Sequence, residues 1–199
     1  MNEIYGLDEV GRGALAGPIV GACVTISKRQ ERLLRETHLP IKDSKLLTPV
    51  LREKIFKTLG ELSIPFWHSL VTSDAINTYG IQYANIQIFK RLIRKFPGKQ
   101  FIVDGRFPKG TFPDSVRCVI DADATILPVI LAGIVAKVIR DTHMKKIHER
   151  YPEFDWIHNV GYGTRRHLRG LSLYPMTIEH RKLFVMTAMQ KVAQTHQSP

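Results

Sequence analysis

Apolar and polar positions change rhythm several times along the chain. IYGLDEV and IVGACVTI (Ile19 to Ile26) are short, largely apolar runs and read as two strands. The Gly/Pro-rich GRGALAGP between them reads as a turn, and so short a connection predicts antiparallel pairing. Basic, polar SKRQERLLRET follows as a short helix. In LTPVLREKIFKTLGEL, Leu51, Ile55 and Leu59 recur at helical spacing, with Thr48 placed to cap and Pro49 suited to the first turn. IPFWHSLV reads as a strand that Pro65 assigns to a sheet edge.

A longer helix is predicted over Ile81 to Lys95, with Ile81, Ala84, Ile88 and Leu92 on one stripe and Arg91, Arg94 and Lys95 near its end. QFIVDG is a short apolar strand ending in Asp104, and VRCVI (Val116 to Ile120) is another. DADATILPVILAGIVAKVIRDTHMKKIHERY reads as one long helix, apolar in its first half and basic in its second, stopped by Pro152. Polar, basic GYGTRRHLRGL then leads through Pro175 to a terminal helix, Ile178 to Ala193. Strands alternating with helices predict an α/β layered architecture. No internal repeat or low-complexity linker interrupts it.

Composition sharpens the picture in one respect. At 199 residues, with 44% hydrophobic and 24% charged positions, the chain is an ordinary globular domain with at most a small appendage. Its charge is not ordinary: 29 Lys and Arg stand against 18 Asp and Glu, a net charge of +11. Such a field favours polyanions, nucleic acid first and an anionic membrane surface second. The longest uncharged apolar run, Ile126 to Ala136, contains Pro128 and falls short of the roughly 20 residues a membrane span needs. The N-terminus lacks the pattern of a secretory signal. Cys23 and Cys118 lie in apolar stretches and are expected as buried free thiols, consistent with a reducing cytoplasm.

Asp8, Asp104 and Asp123 share a context: each stands where an apolar run gives way to a loop or helix start. One such carboxylate is most simply a cap or turn former. Three of them, with Glu9 beside Asp8, imply more, because strand ends in α/β sheets converge on the edge where ligands bind. Clustered carboxylates repel one another unless cations compensate. Mg²⁺ or Mn²⁺ takes oxygen ligands and shares its remaining positions with water and substrate phosphate. Two ions about 3.5–4 Å apart can activate water and stabilise a leaving oxygen. An acidic centre in a basic chain therefore suits a metal-dependent nuclease. The GRG turn adds a phosphate or sugar seat, its glycines allowing close backbone approach and Arg12 adding charge. A GRG tripeptide alone is more often only a turn. Two rivals remain at this level: a DNA-cutting two-metal nuclease or recombinase, and a nucleic-acid-binding protein without catalysis. Arg165, Arg166 and Arg169, with Lys145, Lys146 and Arg150, are expected to contact a phosphate backbone. The histidines lack zinc spacing, and Trp67 and Trp156 read as packing residues, with a base-stacking role left open for Trp156 beside GYGT.

In order along the chain, GLDEVGRGALAGPIV, IKDSKLLTPVLREKIF, VDG, DADATILPVILAGIVAKVIRD, YPEF, GYGTRRHL and HRKLF resemble type 2 ribonuclease H, the bacterial ribonuclease HII family, from Ile4 to about Phe184. The resemblance implies a ribonuclease H-like fold, a mixed sheet flanked by helices. It implies a catalytic core over residues 1–152 and a small helical C-terminal extension over 153–199, packed as one compact unit. Asp8, Glu9, Asp104 and Asp123 would be the catalytic, metal-binding carboxylates for Mg²⁺ or Mn²⁺, with Asp121 an extra acid nearby. Gly11, Arg12 and Gly13 would sense the ribonucleotide 2′-OH and adjoining phosphate, and Tyr162 would pack on the following sugar. Lys42, Ser44 and Lys45 resemble substrate-backbone contacts. The implied partners are RNA–DNA hybrids and duplex DNA with embedded ribonucleotides, cut by a cytoplasmic monomer without a membrane. Three positions depart from the family pattern: Thr125 and Val160 replace lysines and Gly133 replaces a serine. Weakened affinity for the phosphate backbone is the expected consequence.

Overall fold

The apolar runs become a mixed five-stranded sheet in the computed structural model, which describes residues 3–195. Strand β1 (Ile4–Val10) pairs antiparallel with β2 (Ile19–Thr25), as the short connection predicts. On its other side β1 pairs parallel with β4 (Gln100–Asp104), which pairs parallel with β5 (Val116–Val119). Strand β3 (Phe66–Val71) lies at the outer edge beside β2, as Pro65 implies, so the order is β3-β2-β1-β4-β5. All seven residues of β2 are buried, as expected of an inner strand. Cys118, expected inside, is exposed, because β5 is the other edge strand.

Helices α1 (Lys28–Glu36), α2 (Pro49–Glu61), α3 (Ser73–Tyr79) and α4 (Ile81–Ile93) start with recognisable chemistry in three cases. Ser27 and Gln30 form a reciprocal capping box on α1. Thr48 accepts from the Leu51 N–H with Pro49 at the first turn of α2, and Thr72 caps α3. The expected long helix is two: α5 (Ala122–Thr125) and α6 (Leu127–His148). The break is at Ile126, whose extended backbone (φ −106°, ψ 104°) moves Pro128 into the first turn of α6, where its missing N–H is harmless. Beyond lie α7 (Trp156–Asn159), α8 (Arg165–Leu173) and α9 (Lys182–Thr195). The last starts four residues later than its periodicity predicts, because His180 bridges to Ala16 and Arg181 is drawn into the interior.

The chain forms two compact units. The first takes in β1, Val20–Leu70 and Asn85–Ile139. Its core packs Val20, Ala22 and Val24 with Ile55 and Leu59 of α2 and Leu131, Ile134 and Val135 of α6. Tyr5, Trp67, Phe96 and Phe101 form an aromatic group in the same unit, with centroid separations of 4.4–6.4 Å. The second unit takes in Gly11–Ile19, Val71–Ala84 and the described residues from Arg140 onward, with Met144, Ile147, Phe154 and Trp156 at its centre.

Candidate active site

Strand register explains how the first unit gathers its carboxylates. Leu7 of β1 faces Val103 of parallel β4, so Asp8 and Asp104 occupy the next step on neighbouring strands. Asp104 in turn faces Val119 of β5, and the chain beyond β5 turns into α5, which carries Asp123. Asp121 forms that turn in the left-handed region (φ 56°) and is exposed. The Ala122 N–H donates to Asp104 Oδ1 at 2.7 Å, tying α5 to the strand end.

Asp8 is 7% exposed and accepts from the Glu9 N–H at 2.7 Å. Burial first, then the charges of Glu9, Asp104 and Asp123, push its carboxyl well above the usual range. Asp104 is also raised, by burial and then by Asp123. Both carboxyls stay raised even with the Lys45 ammonium close by, and that is the electrostatic condition a divalent cation satisfies. Among the described residues, no three Asp, Glu, His or Cys side chains form a group fit to hold an ion on their own. Open carboxylate sites completed by water and phosphate are the habit of Mg²⁺, so the donor set fits a hard cation that shares its coordination with substrate.

Helix α6 comes unusually near this strand. A Cβ at Gly6 would overlap the Pro128 and Val129 backbone, and a Cβ at Gly133 would overlap Asp8 Oδ2. Gly6 and Asp8 share a face of β1, and the two contacts follow the same helix along the strand. Gly133 therefore gives the Asp8 carboxylate room against α6. Lys45 reaches Asp123 Oδ2 at 3.5 Å. Burial lowers the Lys45 pKa, but the Asp43, Asp123 and Asp8 charges outweigh it and leave the ammonium raised. Ser44 is buried at the start of a short 3₁₀ turn (Ser44–Leu46), whereas Lys42 is exposed.

The remaining expected contacts lie in the second unit. Gly11 has φ 95°, and a Cβ there would overlap the Arg140 guanidinium, so only glycine fits. Arg12 and Gly13 are exposed. Arg140 lies wholly buried beneath the loop, donating to the carbonyls of Pro18 (2.9 Å), Ala16 (3.1 Å) and Val160 (2.8 Å). Its guanidinium also lies 5.4 Å from the centroid of the half-buried Tyr162 ring. Arg181, equally buried, donates to the Gly17 and Arg12 carbonyls. Burial, then the neighbouring Arg140 charge, presses its pKa down to about 9. Main-chain bonds from Leu15 and Ala16 to Gly161, and from Arg181 to Leu15, complete the frame. Sequence reasoning passed over both arginines, although each stands in a quoted motif (AKVIRD, HRKLF). Arg166 pairs with Asp155 at 3.5 Å, while Arg165 and Arg169 are exposed on α8.

The architecture is that of the ribonuclease H fold. The crystal structure of the ribonuclease H2 from Pyrococcus horikoshii OT3 matches it with a TM-score of 0.78 at 25% identity, covering 96% of this chain and 99% of that one. Bst-RNase HIII in complex with Mn²⁺ matches at 0.71 with 15% identity, over 98% of this chain and 70% of that one. The chain belongs to the ribonuclease HII family: the family profile described as Ribonuclease HII matches residues 5–187. Ribonuclease HII of Anaplasma marginale (strain St. Maries) is 34% identical over 186 residues, 92% of this chain and 74% of the relative. Family and fold together support ribonuclease H activity.

Proposed function

We propose that this protein is a metal-dependent endoribonuclease that hydrolyses RNA in RNA–DNA hybrids and cuts on the 5′ side of single ribonucleotides in duplex DNA. The observation that carries the reading is buried Asp8 under the combined field of Glu9, Asp104 and Asp123. These four carboxylates would hold Mg²⁺ or Mn²⁺, in keeping with the Mn²⁺ complex of the related fold. When bound, the ions would activate the attacking water and stabilise the departing 3′-oxygen. The products would carry 5′-phosphate and 3′-hydroxyl ends.

The chain's own groups would do the rest. Gly11, Arg12 and Gly13 would present backbone donors and acceptors to the 2′-OH, the group that separates RNA from DNA at a given site. A deoxyribose would leave them unpaired, a larger penalty than a missing methylene brings. Tyr162 would pack on the next sugar, as part of an extension over 153–199 serving a catalytic core over 1–152. Lys42, Ser44 and Lys45 would contact the substrate backbone. The reading is completed by a cytoplasmic monomer acting in ribonucleotide excision and primer removal, on the strength of the family resemblance.

The test is a duplex DNA carrying one internal ribonucleotide, incubated with Mg²⁺ or Mn²⁺ beside an all-DNA duplex and an Asp104→Asn variant. The expected result is a cut immediately 5′ of the ribonucleotide, absent from both controls. Cleavage of the all-DNA duplex would transfer the protein to another class of nuclease.

A further inference from the structure

Behind Tyr162, the second unit encloses a hydrogen-bonded chain of side chains whose protonation its own partners dictate. His167 is wholly buried, and its Nδ1 lies 3.0 Å from the Tyr162 carbonyl. A carbonyl can only accept, so Nδ1 carries the hydrogen and Nε2 of the neutral ring is the acceptor. Trp156 Nε1–H donates to that Nε2 at 3.1 Å. His180 Nε2 also stands 3.1 Å from it. His180 Nδ1 accepts from the Thr177 N–H at 2.9 Å, which leaves Nε2–H to donate to His167. Each ring is therefore neutral and held in one tautomer. Phe154 packs edge-on against both, with centroids at 5.9 and 4.6 Å.

The chain terminates on the main chain of the GYGT turn. The Tyr162 carbonyl receives a second hydrogen bond from the Thr164 N–H at 2.8 Å, and Thr164 Oγ1 accepts from the His167 N–H at 3.4 Å. His167 thus holds the turn at both ends, by its ring at Tyr162 and by its backbone at Thr164. Holding that carbonyl constrains the Tyr162 ψ angle, on which the allowed rotamers of its ring depend.

We infer that His167 is a positioning residue for Tyr162, held in the required tautomer by Trp156 and His180. The inference rests on the substrate role proposed for Tyr162. Two amide variants separate the ring's functions. His167→Asn places an amide nitrogen near Nδ1 and keeps the donor to Tyr162 while losing the Nε2 acceptor. His167→Gln places its amide near Nε2 and loses that donor. On the single-ribonucleotide duplex, His167→Gln should raise KM about tenfold with little change in kcat, the scale of one lost hydrogen bond. His167→Asn should keep a near-normal KM, even with a lower melting temperature. Equal KM values in wild type and His167→Gln, or KM following melting temperature in both variants, would overturn the inference. A Tyr162→Ala variant with unchanged KM would instead remove the role of the tyrosine itself. Ring ¹⁵N NMR of the otherwise unmodified Asp104→Asn protein needs no change at His167. Adding the ribonucleotide duplex should shift the His167 Nδ1 resonance more than the all-DNA duplex does, and an unmoved resonance would also overturn the inference.

Discussion

Arg181 donates from Nη1 to the Arg12 carbonyl at 2.9 Å, and from Nε and Nη2 to the Gly17 carbonyl at 3.0 and 2.8 Å. One buried fork thus spans the loop from the arginine of GRG to its second bend. Arg181→Met would leave these carbonyls without that donor, at about 2–4 kcal/mol for the buried groups together. Arg181→Lys keeps the charge but cannot reproduce the planar fork. Both variants should melt lower than wild type and discriminate less well between ribose and deoxyribose. Melting curves and the ratio of cleavage on ribonucleotide and all-DNA duplexes check this, and unchanged values would show that the fork does not hold the loop.

Gly133 sets two effects against each other. Gly133→Ala should favour the helix by about 1 kcal/mol. The new Cβ would overlap Asp8 Oδ2, the end of a side chain able to rotate away. A melting temperature at or above wild type, with weaker Mn²⁺ binding by calorimetry, is the expected combination. Unchanged Mn²⁺ affinity would mean that the carboxylate does not need its place against α6.

Val160 is a β-branched residue in the left-handed region, at φ 43°, a conformation that crowds its side chain. Val160→Lys removes the branch and adds a charge beside the GYGT turn. It should unfold at higher denaturant than wild type and give a steeper salt dependence of duplex binding. A lower denaturation midpoint would mean that the valine's packing matters more than its backbone strain.

The buried histidine pair gives stability a pH dependence. Burial, and then His167, lower the His180 pKa from 6.5 to about 4. Between those values the unfolded chain binds a proton that the folded ring excludes, so stability falls as pH drops below 6.5. The slope is at most about 1.4 kcal/mol per pH unit for each excluded proton. Asp8 and Asp104, both raised, act in the opposite direction. His180→Gln cancels those shared terms. Wild type should therefore lose stability relative to His180→Gln between pH 7 and pH 5 in urea titrations, and a constant difference would rule the effect out.

The sequence showed most clearly what local chemistry decides. Thr48 and Pro49 marked a helix start, and the IYGLDEV and QFIVDG runs became the adjacent strands β1 and β4 that carry Asp8 and Asp104. The break at Ile126 was hidden because apolar periodicity continues through it, while the backbone departs to accommodate Pro128. The exposure of Cys118 depends on which strand ends the sheet, something a short apolar run does not record. Arg140 and Arg181 were illegible for a different reason. Their partners are main-chain carbonyls, which any residue supplies, and Arg181 meets Gly17 across 164 positions.

The pairing of β1 also governs when the acidic centre can exist during synthesis. Its antiparallel neighbour β2 follows at once, but Ile4 must wait for Gln100 before its other edge is covered. Closing so long a loop is entropically slow and comes late in folding. A nascent chain that stops short of Asp123 holds only part of the carboxylate set, and its first strand still has an open edge. Such fragments expose a strand edge that invites aggregation, and the acidic centre is complete only once synthesis has passed Asp123.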